Sequence, residues 1–123
     1  MLSHGPWLDP FPAGASIPAG MSAVGPEVSV TTSLHARPGR EEALSEVLRE
    51  LAEAVRREER GCLDYLPVRS RHDPTRFAIF ERYRDEKALT DHANSAHLAE
   101  RFAALMECLV EPPELRLYDA LSA

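Results

Sequence analysis

The sequence predicts an α+β fold, a four-stranded antiparallel sheet with helices packed on one face. Three observations carry this. Strand-like and helix-like patterns follow the order β-α-β-β-α-α-β within 123 residues, the size of one domain. The second strand contains Pro67, which removes a ladder donor and confines that strand to a sheet edge. The third strand alternates Phe77, Ile79, Glu81 and Tyr83 against Ala78, Phe80 and Arg82, so one of its faces is buried. This order with that edge is the split-βαβ, ferredoxin-like arrangement.

Before the first strand, residues 1–26 hold five of the ten prolines, four of the six glycines, Trp7 and one charge, Asp9. No period of two or 3.6 runs through them, so they read as a tail, or as an arm on a neighbouring subunit anchored by Trp7, Leu8, Phe11 and Ile17. Met21 offers an alternative start. The domain proper is 27–123. Val28 to His35 alternates and is rich in β-branched residues, which predicts a half-buried strand ended by Pro38-Gly39. From Arg40 to Glu58, Leu44, Val47, Leu48, Leu51, Ala54 and Val55 recur at spacings of three and four, the stripe of an amphipathic helix. Gly61 is expected to cap it, with Arg56, Arg57 and Arg60 complementing the negative end of its dipole.

Cys62 to Arg71 is the second strand, His72-Asp73-Pro74-Thr75 a turn, and Arg76 to Tyr83 the third strand. Asp85 caps a short helix through Ala93, and Asn94 or Ser95 caps the next. In that helix Leu98, Phe102, Leu105 and Leu109 form the packing stripe; Pro112-Pro113 stops it, and Leu115 to Leu121 is the last strand. Ala78 and Phe80 leave the outer sheet face incompletely polar, and a second subunit is its economical cover.

Composition narrows the function. Fourteen basic residues, thirteen of them Arg and one Lys87, stand dispersed against twenty acidic ones for a net charge of −6, which disfavours nucleic acid as a partner. No apolar run is long enough to span a bilayer, and the N-terminus lacks the pattern of a secretory signal, so a cytoplasmic location is expected. Cys62 and Cys108 fit neither a disulfide framework nor a CxxC motif.

The stretches ARPGREEALSEVLRELAEAVRREERGCLDY, SRHDPTRFAIFERYRDEKALTDHANSAHLAERF and PPELRLYDAL closely resemble the antibiotic biosynthesis monooxygenase (ABM) family, whose members include quinol monooxygenases. The resemblance covers about 27 to 121 and rests on the Pro-Gly turn before a long helix, on Glu81 to Glu86, and on Asp91 to His97. It implies a homodimeric α+β barrel and the oxidation of small aromatic, quinol or anthrone-type substrates by O₂ without metal, flavin or haem. The alternatives are an isomerase or lactone-processing enzyme on the same barrel, or a non-catalytic binder of small ligands. In the haem-degrading branch the pocket carries Asn, Trp and an axial His; the positions matching those motifs are Thr32, His92 and Phe102, which disfavours haem.

His92 and His97 flank one helix break and are the candidate bases for a phenolic proton, against the plainer role of capping helix ends. Glu81, among large apolar residues, reads as a carboxylate with a raised pKa or the partner that orients a His; an ion pair with Arg69 or Arg116 is the competing reading. Phe77, Ile79 and Phe102 would form an apolar wall, with Thr32, Tyr65 and Tyr83 as further contacts to substrate and Tyr118 as another phenol able to donate a hydrogen bond. Glu81, His92 and His97 have the composition of a facial metal triad, but the two His are five residues apart rather than four, and no metal is expected. His4, His35 and His72 read as solvent-facing.

Overall fold

A computed structural model describes residues 26–122. The expectations for the tail, including its four anchors, His4 and Met21, lie outside the described residues. The elements are β1 (Val28–His35), α1 (Glu41–Glu58), β2 (Cys62–Arg69), β3 (Arg76–Tyr83), α2 (Glu86–Ala93), α3 (Ala96–Glu107) and β4 (Glu114–Asp119). They form one antiparallel sheet of order β2-β3-β1-β4. β2 is an edge strand, as Pro67 requires.

The registers place Val30, Glu81 and Leu117 in one row, and Thr32, Ile79 and Leu115 in the next, on the helix-covered face. Leu44, Leu48, Leu51 and Val55 of α1 pack there with Leu34, Phe77, Ile79, Leu98 and Leu105. A second cluster of Val28, Val30, Tyr83, Ala88 and Leu89 fills the end under α2. Within the α1 stripe only Val47 is merely half-buried, and the α3 stripe buries Leu98 and Leu105 while Phe102 is half-buried. Leu109 is buried beyond the end of α3.

Local chemistry accounts for the turns. Gly39 has φ +86°, a conformation open to Gly at little cost, and it turns the chain into α1. Asp73 Oδ1 accepts from the Thr75 amide at 3.0 Å and its hydroxyl at 2.7 Å, closing the β2–β3 turn. These bonds hold the Asp73 carboxyl below its ordinary pKa. Asp85 accepts from the Ala88 amide at 2.8 Å, and Ser95, rather than Asn94, caps α3 by accepting from the Leu98 amide at 3.3 Å.

Gly61 does not cap α1. The chain leaves the helix at Glu59 in an extended conformation, and Gly61 instead allows a close approach, since a Cβ there would lie 2.6 Å from the Ala88 Cβ. The outer strands are shorter than the apolar pattern implied, β2 ending at Arg69 and β4 at Asp119. His72 is exposed in its turn, whereas His35 is half-buried at the end of β1. Both cysteines are free thiols; Cys108 is buried, and burial, with the nearby carboxylates of Glu59, Glu81 and Asp64, pushes the Cys62 thiol up to about 12.

Candidate functional site

The stripe of α1 continues one step of four beyond Val55 and reaches Glu59, whose side chain is only 10% exposed. His92, in the last turn of α2, and His97, in the first turn of α3, face it from the two sides of the Asn94–Ser95 break. His92 Nδ1 lies 2.8 Å from Glu59 Oε2, and His97 Nε2 contacts that same oxygen. A carboxylate only accepts, so the ring nitrogens facing it donate; in neutral His92 this leaves the Nε2 lone pair free to act as a base. Among the described residues, Glu59 Oε1 is buried and has no hydrogen-bond partner.

A second carboxylate lies deeper. Glu81 on β3 is 5% exposed; the Thr32 hydroxyl donates to its Oε2 at 2.7 Å and the Tyr83 hydroxyl to its Oε1 at 2.6 Å. Burial pushes the Glu81 pKa up, opposed by the nearby His92 and these two bonds. The ion pairs considered from sequence do not form: Arg69 binds Glu42 and Arg116 binds Glu114, each at 2.9 Å. The His92 ring is flanked by Tyr65 and Tyr83, with centroids at 5.3 and 5.7 Å. Burial first, then Glu81, raises the pKa of both phenols, so both stay protonated at neutral pH.

Part of this group borders a cavity of about 30 Å³ that is partly open to solvent. Of the residues singled out in the sequence, Thr32, Tyr65, Ile79, Glu81 and His92 line it, and leucines including Leu51, Leu89, Leu98 and Leu105 supply most of the remaining wall. Four others lie outside the lining. Phe77 is buried on the same sheet face but packs under the Arg69 guanidinium at 5.2 Å and borders a separate groove. Tyr83 holds Glu81, Phe102 is half-buried on α3, and His97 acts on Glu59. Among the described residues no Lys or Arg lines the cavity, so these residues offer no fork for a phosphate. The cavity lining offers an imidazole, a carboxyl and two hydroxyls on an otherwise apolar wall.

Sequence reasoning paired the histidines with Glu81 and missed Glu59. The structure brings Glu59, not Glu81, into hydrogen-bond contact with both imidazoles. One signal was present: an acidic residue at the next position of an apolar stripe, at a helix C-terminus whose dipole disfavours negative charge, has to be held there by something else.

The protein PA3566 of Pseudomonas aeruginosa is 34% identical and superposes with a TM-score of 0.69 over 84% of this chain and 99% of its own. A Nitrosomonas europaea protein whose name carries the antibiotic biosynthesis monooxygenase description is 25% identical, with a TM-score of 0.76 over 82% of this chain and 96% of its own. No curated protein matches the chain in sequence. The family model for antibiotic biosynthesis monooxygenases matches residues 27–107, about two thirds of the chain and every element from β1 to α3. With the sheet order and the helix-covered cavity already in place, that match establishes that the chain belongs to the antibiotic biosynthesis monooxygenase family.

Proposed function

We propose that this protein is a cofactor-independent monooxygenase of small quinol or anthrone-type substrates, working as a homodimer. The observation that carries the reading is the setting of His92. Its ring stands in the wall of an apolar cavity with Nδ1 anchored on Glu59, so that Nε2 is the nitrogen left to take a phenolic proton. Deprotonation makes the substrate electron-rich enough to reduce O₂ directly. For a hydroquinone, one oxygen atom enters the ring as a hydroxyl and the other leaves as water; the product is a hydroxyquinone, and the substrate supplies all the electrons. No external reductant is required.

In this mechanism Glu59 positions both imidazoles, and His97 shares the charge that Glu59 places against His92. Glu81 holds Thr32 and Tyr83 and presents a carboxyl whose proton burial favours keeping, so it serves to orient the substrate oxygen. Tyr65 and Ile79 fix the ring plane against the leucine wall. The second subunit covers the outer sheet face, where Leu66, Phe80 and Tyr118 are each about half exposed.

The test is oxygen uptake by chelator-treated protein over a panel of hydroquinones and anthrones, with His92→Ala and His97→Ala run beside the native chain. Uptake above autoxidation that His92→Ala loses by about 10²–10⁴-fold, the usual contribution of a general base, supports the mechanism. Uptake retained in both variants refutes it, and no uptake on any substrate turns the assignment to an isomerase or a ligand-binding protein on this barrel.

A further inference from the structure

We propose that Glu59, His92 and His97 form a binding site for one divalent first-row transition cation. Glu59 Oε2, His92 Nδ1 and His97 Nε2 meet from three different segments, and one ligand atom from each lies within 4.8 Å of the others. Two atoms bound to one such cation at about 2.1 Å stand up to about 4.2 Å apart, so small side-chain rotations close the set.

The second observation is the state of the carboxylate. Two imidazoles hydrogen-bonding to a carboxylate would ordinarily divide between its oxygens. Here both point at Oε2, while Oε1 is buried and has no partner among the described residues, on a side chain that is nine-tenths buried. A cation at this point would have Oε1 available as a further ligand. Charge favours the same occupant. Glu59 and Glu81 are both largely buried, and among the described residues neither pairs with a Lys or Arg. The C-terminal ends of α1 and α2, at Glu59 and His92, add carbonyl dipoles that favour a positive charge. Two imidazoles with one carboxylate suit zinc and its neighbours better than calcium or magnesium.

Binding has a chemical consequence. A metal on His92 Nδ1 displaces that proton, and the neutral ring then carries its proton on Nε2. His92 would change from a base toward the cavity into a donor, so the cation silences the proposed oxygenation rather than assisting it. The site itself stands on its own geometry and does not depend on the oxygenase reading.

The experiment uses the full chain without an affinity tag, stripped with a chelator and titrated with Zn²⁺ against a chromogenic competitor. The imidazole resonances of His92 and His97 are followed by NMR. One equivalent per chain is expected, with shifts of both rings. Glu59→Gln and His97→Ala should each weaken binding by at least about tenfold, the loss typical even of an outer-shell partner, while His72→Ala leaves it unchanged. Absence of stoichiometric uptake by the native chain, unmoved His92 and His97 resonances, or undiminished affinity in folded Glu59→Gln and His97→Ala would each overturn the site. Zinc uptake by a protein inactive on every quinol would uphold the site and refute the oxygenase reading alone.

Discussion

At the scale of single residues, the two buried carboxylates behave differently because their partners differ. Glu81 accepts from two hydroxyls, and removing one without changing shape isolates its worth. Thr32→Val should cost about 1–3 kcal/mol in denaturant unfolding, the range for leaving a buried acceptor without its partner. Burial raises the Glu81 pKa above its ordinary 4.5, so the protonated form is the one the fold favours. Its contribution is fully present below the unfolded value and is lost as pH rises through the folded value. Glu81→Gln lacks that titration. The melting temperature of the variant relative to the native chain should therefore become more favourable as pH rises from about 4 to 8; a constant difference would show that Glu81 does not titrate in this window. Glu81 was legible because strand alternation puts it beside Phe77 and Ile79. Glu59 was not, because the run Arg56-Arg57-Glu58-Glu59-Arg60 looks like a solvated helix end, and only the stripe position separates Glu59 from its exposed neighbour Glu58.

At the scale of elements, the break between α2 and α3 is what aims the two imidazoles, and its geometry is set by caps. Asp85 fixes the start of α2 and Ser95 the start of α3, whose hydroxyl also donates to the His92 carbonyl at 2.8 Å. Ser95→Ala should destabilise the chain by about 1 kcal/mol, measured by thermal unfolding, and lower activity more than Asp85→Ala, because it loosens His92 and His97 together. Gly61 sets how close α2 lies to the α1–β2 connection. Gly61→Ala forces its Cβ against Ala88 at 2.6 Å and should cost about 1–3 kcal/mol in denaturant unfolding. A neutral result would mean that α2 moves away freely. The caps were readable because Asp and Ser carry a local chemical signal. The role of Gly61 was not: a glycine after a helix looks the same whether it turns the backbone or makes room for another element.

At the scale of the whole molecule, strand order and helix placement followed from short-range patterns, since Pro67 demands an edge and the alternation in β3 demands a covered face. What covers the outer face depends on long-range neighbours. Across that face Leu66 pairs with Phe80, and Tyr118 lies two strands away beside Ser29. If a second copy covers it, Phe80→Glu should halve the mass measured by light scattering while the far-ultraviolet circular dichroism stays native; an unchanged mass would place the dimer contact elsewhere. No helix among the described residues is long and apolar enough to cross a membrane.

In the proposed mechanism a helix-covered apolar cavity, with its imidazole anchored on Glu59, lets O₂ react with a deprotonated aromatic without a cofactor. The most direct measurement is the turnover of a quinol under ¹⁸O₂ by the chelator-treated chain, with product and water analysed by mass spectrometry. One labelled atom in the product and one in water per turnover are expected, at a rate that added Zn²⁺ lowers. Labelled hydrogen peroxide with an unlabelled product, or turnover only after a metal is restored, would contradict the mechanism.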